Sequence, residues 1–210
     1  MYVIQPRVIA RMAKVEERVF LSDAVETAQQ LHRSEFGAHF LVIYHDLATF
    51  REMYSHYVKA ALKDNEIVII LPFYETVDEV RRILSEDSAC IDVRKYEKEQ
   101  SLLIIDSLKA YLGSRDGFMP FVKQTIGYAK TTGKNGVSVI ADMDSFFYSQ
   151  KGDLLQYEMT LPTVFEGMNL KGLCSYHKRD FDGRFDEKER QMLLDHHGKT
   201  LHLLSAPIGN

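Results

Sequence analysis

The sequence predicts a three-layer α/β fold: a mostly parallel central sheet with helices on both faces, preceded by an N-terminal helical segment over residues 1–36. Three observations carry this. Runs such as Ile67–Phe73 and Val137–Ala141 are nearly all β-branched or apolar, as strands buried on both faces are. They alternate with amphipathic stretches of helical length, the pattern of crossover units in a parallel sheet. A chain of 210 residues with 45% hydrophobic and 27% charged content can also close a sizeable core as one globular domain.

From Arg7 to His32 the pattern is helical, with Val8, Met12, Val15 and Val19 stepping along one face. Ser22 or Asp23 starts a second helical piece ending near Leu31, and Glu26 supports the Asp23 start. The main domain, residues 37–210, opens with the apolar run Phe40–Tyr44. An amphipathic helix over Leu47–Leu62 follows and stops in the turn-like Lys63–Asp64–Asn65. After the strand Ile67–Phe73, Thr76 or Asp78 opens a helix through Leu84. Val93 and the run Leu102–Ile105 suggest two more strands. A helix over Phe118–Lys130 ends at Gly133, before the strand Val137–Ala141. Leu154–Phe165 reads as a helix and Leu170–Tyr176 as a strand. A charged helix over Glu187–His197 and a strand over Thr200–Leu204 complete the pattern.

A net charge of −4 argues against a general phosphate-backbone binder, so direct nucleic-acid binding is not expected. No run reaches the roughly 18 apolar residues of a membrane span. Arg7, Arg11, Lys14, Glu16 and Glu17 interrupt any secretory core, which leaves cytoplasmic residence as the expectation. Cys90 and Cys174 lie in unrelated contexts with no Cys-x-x-Cys pair, which argues against a thiolate-rich zinc site and, in that compartment, a disulfide. A nucleotide hydrolase on this architecture needs a Gly-rich phosphate loop after its first strand. Tyr44–His45–Asp46–Leu47–Ala48–Thr49 has neither glycine nor lysine there, and Gly133–Lys134 follows a helix. A nucleotide-binding protein or ATPase is therefore the second reading, and a scaffold or assembly protein the third.

Ligands of parallel sheets bind outside the carboxyl ends of the strands. This directs attention to Tyr44–Asp46, Phe73–Glu75, Asp106–Ser107, Asp142–Asp144 and Cys174–His177. Cys174, His197 and Glu158 have the types needed for nucleophilic catalysis, but a cysteine inside an apolar strand is ordinarily an inert core residue. Histidines 39, 177, 196 or 197 with Cys174 or Glu158 make a chemically sensible metal set. No His-x-x-x-His or Glu-x-x-His spacing accompanies them, so the sequence points to no metal centre and names no cofactor. Aromatics at the strand ends, joined by Cys174 and a histidine, instead have the composition of a small-molecule pocket.

The order of these residues resembles the methanogen/methylotroph DcmR-type sensory (MEDS) family. His39-x-x-x-x-Tyr44 leads into the helix ending Val58–Lys59–Ala60–Ala61–Leu62–Lys63–Asp64–Asn65–Glu66 and the strand from Ile67. Ala61 and Asp64–Asn65 stand where the family often has glycines. Tyr111 before a Gly-containing turn, Tyr157–Glu158, Leu173–Cys174-x-Tyr176 and His197 continue the match over about residues 38–204. Ala141–Asp142–Met143–Asp144–Ser145–Phe146 departs from it, being more charged than the family at that strand end. The resemblance implies a RecA/KaiC-like fold without the phosphate loop and a non-catalytic sensory role for a small organic molecule such as a hydrocarbon derivative. It implies ligand contacts from His39, Tyr44, Tyr111, Glu158, Cys174, Tyr176 and His197. The implied partners are that ligand, a separate histidine kinase or regulator, and a second copy in a homodimer. Residues 1–36 show no helix-turn-helix pattern.

Overall fold

The computed structural model describes residues 20–86, 89–113, 117–148 and 151–204. Within them one sheet contains β1 (Phe20–Ser22), β2 (His39–Tyr44), β3 (Ile67–Leu71), β4 (Leu102–Ile104), β5 (Val137–Asp142), β6 (Leu170–His177) and β7 (Lys199–Leu203). The strand order is β1-β7-β2-β6-β5-β3-β4, and every pairing is parallel. Helices α1 (Ala24–His32), α2 (Leu47–Lys63), α3 (Val77–Glu86) and α4 (Val93–Lys98) pack on one face. The other face carries α5 (Ser107–Leu112), α6 (Met119–Thr131), α7 (Lys151–Thr160), α8 (Lys178–Arg184), α9 (Glu187–His196) and a 3-10 helix, Met143–Tyr148. The result is a three-layer α/β fold.

Strand parity divides the core. Phe40, Val42 and Tyr44 of β2 enter the cluster under α1–α4, whereas Leu41 and Ile43 enter the cluster under α5–α9. Several helices begin where short polar side chains take up their orphan amides. Asp23, Asp46, Asp92 and Asp106 accept from Glu26, Thr49, Lys95 and Lys109 at 2.8–3.1 Å. Thr76 and Glu79 exchange bonds ahead of α3, and Asp186 with Glu189 forms a capping box on α9. Asn65 ends α2 in the left-handed region at φ 58°, a conformation that asparagine tolerates better than most residues.

Several expectations are corrected. The first part of the Arg7–His32 helical pattern lies in residues 1–19, outside the described residues, while residues 20–22 are strand and the helix starts only after Asp23. Val93 opens α4 instead of a strand, because Asp92 caps the segment that it begins. The Leu154–Phe165 helix runs Lys151–Thr160; Pro162 lies just beyond, where the chain turns into β6. Helices α5 and α8 and the 3-10 helix were not foreseen. Among the described residues no helix is long and apolar enough to cross a membrane.

Candidate functional site

His39 opens β2 opposite Gly172 of β6, and Cys174 stands two residues further along β6. Equal parity puts both side chains on the face under α7 and α9. From α7, Glu158 points down to that face; His197 follows the last turn of α9, where extended backbone (φ −91°, ψ 142°) ends the helix. All four side chains are buried. One ligand-capable atom from each lies within 4.8 Å of the others.

The hydrogen bonds fix how the group presents itself. His39 Nδ1 is 2.9 Å from the Pro162 carbonyl, and His197 Nδ1 is 2.7 Å from the Leu193 carbonyl. A carbonyl only accepts, so each Nδ1 carries its ring's proton and each Nε2 presents a lone pair to the cluster. His39 Nε2 lies 3.3 Å from Cys174 Sγ, and Sγ lies 3.7 Å from Glu158 Oε2. The Tyr176 hydroxyl donates to Glu158 Oε1. His197 Nε2 is 3.7 Å from Glu158 Oε2, too far for a hydrogen bond, and has no other partner.

Electrostatics follow from burial. Desolvation, then the neighbouring His197, takes His39 down to about 3, against the opposing bond to Pro162. Desolvation takes His197 down to about 4, despite its bond to Leu193. The His197–Glu158 approach is therefore not an ion pair at neutral pH. Burial raises Glu158 to about 7 even though Tyr176 and Cys174 both bond to it. Burial and then the Glu158 charge push the Cys174 thiol well up, the opposite of an activated nucleophile. The group suits hydrogen bonding to a small polar function or holding a cation better than it suits attack by sulfur.

His39 and Cys174 also border an apolar cavity of about 30 Å³, walled by Tyr111, Phe118, Met143 and Phe165 among others. Phe165 rests on the His39 ring, centroids 4.8 Å apart. Gly172 permits this: a Cβ there would fall 2.6 Å from the Phe165 ring.

Of the residues expected at a site, His39, Glu158, Cys174, Tyr176 and His197 come together, and Tyr111 joins them at the cavity wall. Tyr44 does not. It stands five residues after His39, hence on the opposite face, where it stacks on Phe50 (4.2 Å) and donates to Asp142 at 3.2 Å. His196 turns to the Leu161 carbonyl at 2.8 Å, and His177 caps α8 through the amide of Arg179. The grouping lies on a face of the sheet, not outside its carboxyl edge, because His39 is the first residue of its strand. That edge holds a different set. Asp144 accepts from the His177 amide at 2.9 Å, Tyr74 donates to Asp180 at 2.6 Å, and Asp106 serves as a cap. Burial and then the Asp144 charge raise Asp142; burial chiefly raises Asp144, to about 7. The carbonyls of Pro162 and Leu193, which set both ring tautomers, have no local sequence signal, nor does the Phe165 contact.

A comparison with curated proteins finds no match. A model of the family described as MEDS, MEthanogen/methylotroph, DcmR Sensory domain, matches residues 38–190, more than half of the chain. The match contains His39, Glu158, Cys174, Tyr176 and Tyr111; His197 lies beyond it. With this coverage, and with the family's sensory segment holding all but one residue of the buried cluster, the chain belongs to the MEDS family of sensory domains.

Proposed function

We propose that this sensory domain binds a small organic molecule with an apolar body and one polar function, and performs no catalysis on it. The observation that carries the reading is that His39 and Cys174 belong at once to the polar cluster and to the wall of the apolar cavity. A ligand there would set its polar function against the histidine and thiol and its body against Tyr111, Phe118 and Phe165. About 30 Å³ admits only a few heavy atoms, so anything larger requires α6 or α7 to shift outward. Because Glu158 rides on α7 and His197 ends α9, occupation would bias the positions of those helices. Such a bias transmits only the ligand's differential affinity for the two arrangements. The readout would be a contact with a second copy, a separate histidine kinase or another regulator.

The nucleotide reading meets a physical obstacle. The start of α2, where a phosphate loop would place its anion, is closed by the Asp46 carboxylate on the Thr49 amide at 2.8 Å.

The test is thermal unfolding of the full chain with short-chain hydrocarbon derivatives (alcohols, ketones, halides, thiols) and, separately, with magnesium nucleotides. Ligand at 100 times its Kd adds about 2.7 kcal/mol, a rise of roughly 5–10 °C for a chain of this size. Phe165→Ala, which enlarges the wall, should change the order of preference among ligands. If none of the organic molecules moves the transition and nucleotides do, the sensor reading is wrong.

A further inference from the structure

The sensor reading requires only hydrogen bonds from the buried cluster, yet the cluster has more lone pairs than protons to satisfy them. Its inward-facing atoms are His39 Nε2, His197 Nε2, Cys174 Sγ and Glu158 Oε2. Both imidazole protons are committed outward, to the Pro162 and Leu193 carbonyls. The Tyr176 hydroxyl is spent on the other Glu158 oxygen. The thiol proton can satisfy His39 or Glu158 but not both, and His197 Nε2, on a side chain with 0% exposure, is left without a hydrogen bond. An acceptor buried in this way costs about 1–3 kcal/mol. Converging lone pairs that outnumber the donors among them, one of them on His197 with no hydrogen bond at all, are what a cation satisfies.

We propose that His39, Glu158, Cys174 and His197 form a binding site for a divalent transition-metal ion of borderline softness, of which zinc is the type. Thiolate, two imidazoles and a carboxylate are the donor set such ions take and that calcium or magnesium does not. Bonds of about 2.0–2.3 Å at tetrahedral angles would place neighbouring ligand atoms roughly 3.3–3.8 Å apart. Three of the approaches among these atoms are 3.3, 3.7 and 3.7 Å, and all of them fall within 4.8 Å, so small side-chain shifts would close the set on an ion. The outer contacts are those of a metal site as well. Each histidine donates its remote N–H to a backbone carbonyl, and the carboxylate's second oxygen is held by a tyrosine hydroxyl. Binding would release the thiol proton to solvent, since the thiolate is the ligand. The edge between His39 and Cys174 opens on the apolar cavity, so a bound ion would present itself to whatever occupies that space. In this respect the proposal deepens the sensor reading by offering the polar function of the ligand a metal to meet.

Cobalt is the probe. The full chain, stripped with chelator and kept reduced, is titrated with Co²⁺ and followed by absorption. The expected result is one equivalent bound, with a thiolate-to-cobalt charge-transfer band and the intense visible bands of tetrahedral cobalt, both lost when Zn²⁺ is added. Cys174→Ser should abolish the charge-transfer band, whereas Cys90→Ser, at an exposed position, should keep it. His197→Gln and Glu158→Gln should each weaken binding at least about tenfold. Folding of each variant is checked by circular dichroism, and the glutamine variants keep the test open if Cys174→Ser does not fold. Zinc should also raise the melting temperature of the wild-type chain, and by less that of His197→Gln. Absent cobalt bands, a band that survives Cys174→Ser, or equal affinity in all variants would overturn the proposal and leave a trapped water as the partner of His197. Organic ligands assayed on the stripped protein separate the two ideas. Stabilisation by them without cobalt binding leaves the sensor and removes the metal; cobalt binding with no organic response does the reverse.

Discussion

Two buried polar clusters lie on opposite faces of the same sheet, and they differ in how protons are shared out. Under α1 and α2, Lys171 Nζ lies 2.8 Å from Glu66 Oε1, 3.2 Å from the His32 carbonyl and 4.8 Å from the Phe36 ring centre. Tyr57 donates to Ser138 at 2.9 Å, and Ser138 donates on to the second Glu66 oxygen. Each group there has a counterpart: one cation for one anion, a donor for each carboxylate oxygen. Under α7 and α9, His39, Glu158, Cys174 and His197 converge with fewer protons than lone pairs, and His197 Nε2 has no hydrogen bond. Burial is the same in both. What separates a structural network from a candidate site is therefore the balance of donors and acceptors, since a satisfied network rigidifies a core and an unsatisfied one waits for a partner.

The largest effect should come from breaking the balanced cluster. Lys171→Met leaves the Glu66 carboxylate buried without its cation and should cost about 3–5 kcal/mol in chemical denaturation. Adding Glu66→Leu should recover more than half of that loss, because the stranded charge is gone. Cys174→Ala in metal-stripped protein removes a neutral thiol and strands no charge from its counter-ion, so it should cost no more than about 2 kcal/mol, mostly packing. Equal losses for Lys171→Met and Cys174→Ala would break the comparison.

Next in size is Gly172→Ala. Its Cβ would meet the Phe165 ring at 2.6 Å, with His39 only 3.6 Å away. Overpacking of this kind costs about 1–3 kcal/mol. It also pushes Phe165 off His39, so ligand or cobalt affinity should fall while Lys171 and Glu66 keep their contacts. If stability falls and affinity does not, the Phe165–His39 contact is packing alone.

The two clusters were not equally legible in the sequence. The central strands announced themselves because a strand buried on both faces reads as an unbroken apolar run, as in Ile67–Leu71. Strand β1 gave no such signal, having three residues and pairing with β7 across most of the chain. Val93 misled because one apolar residue between charged ones fits either a strand or the first turn of a helix; the Asp92 cap decides it. His39, Cys174, Glu158 and His197 were nameable by type and order, but their meeting was not. His39 and Cys174 are 135 residues apart, and only the β2–β6 register brings them together. The separation of Tyr44 from them could have been read, because residues five apart on a strand point to opposite faces. No residue type in the sequence singled out Lys171 and Glu66, since a balanced pair looks like any other charges.

The smallest expected effect concerns the carboxyl edge, a third case in which acceptors crowd but a proton relieves them. Asp144 is buried near Asp142, Asp180, Arg179 and Tyr74, and its Oδ1 has no hydrogen-bond partner. Burial raises its titration from 3.8 to about 7. Below the unfolded value both states hold the proton, and this contribution to stability is fully present. Between that value and about 7 the folded chain keeps a proton that the unfolded chain has lost. Stability therefore falls as pH rises through this window, and above it the contribution is gone. From pH 5 to pH 8 the loss should be at least about 1 kcal/mol, or a few degrees in the melting temperature. Asp144→Asn keeps an oxygen for the His177 amide and carries no proton to lose, so it should melt higher than wild type at pH 8 and show a flatter pH profile. A variant as pH-dependent as the wild type would mean that this edge does not relieve itself by protonation, and that only the cluster under α7 and α9 departs from the balanced arrangement.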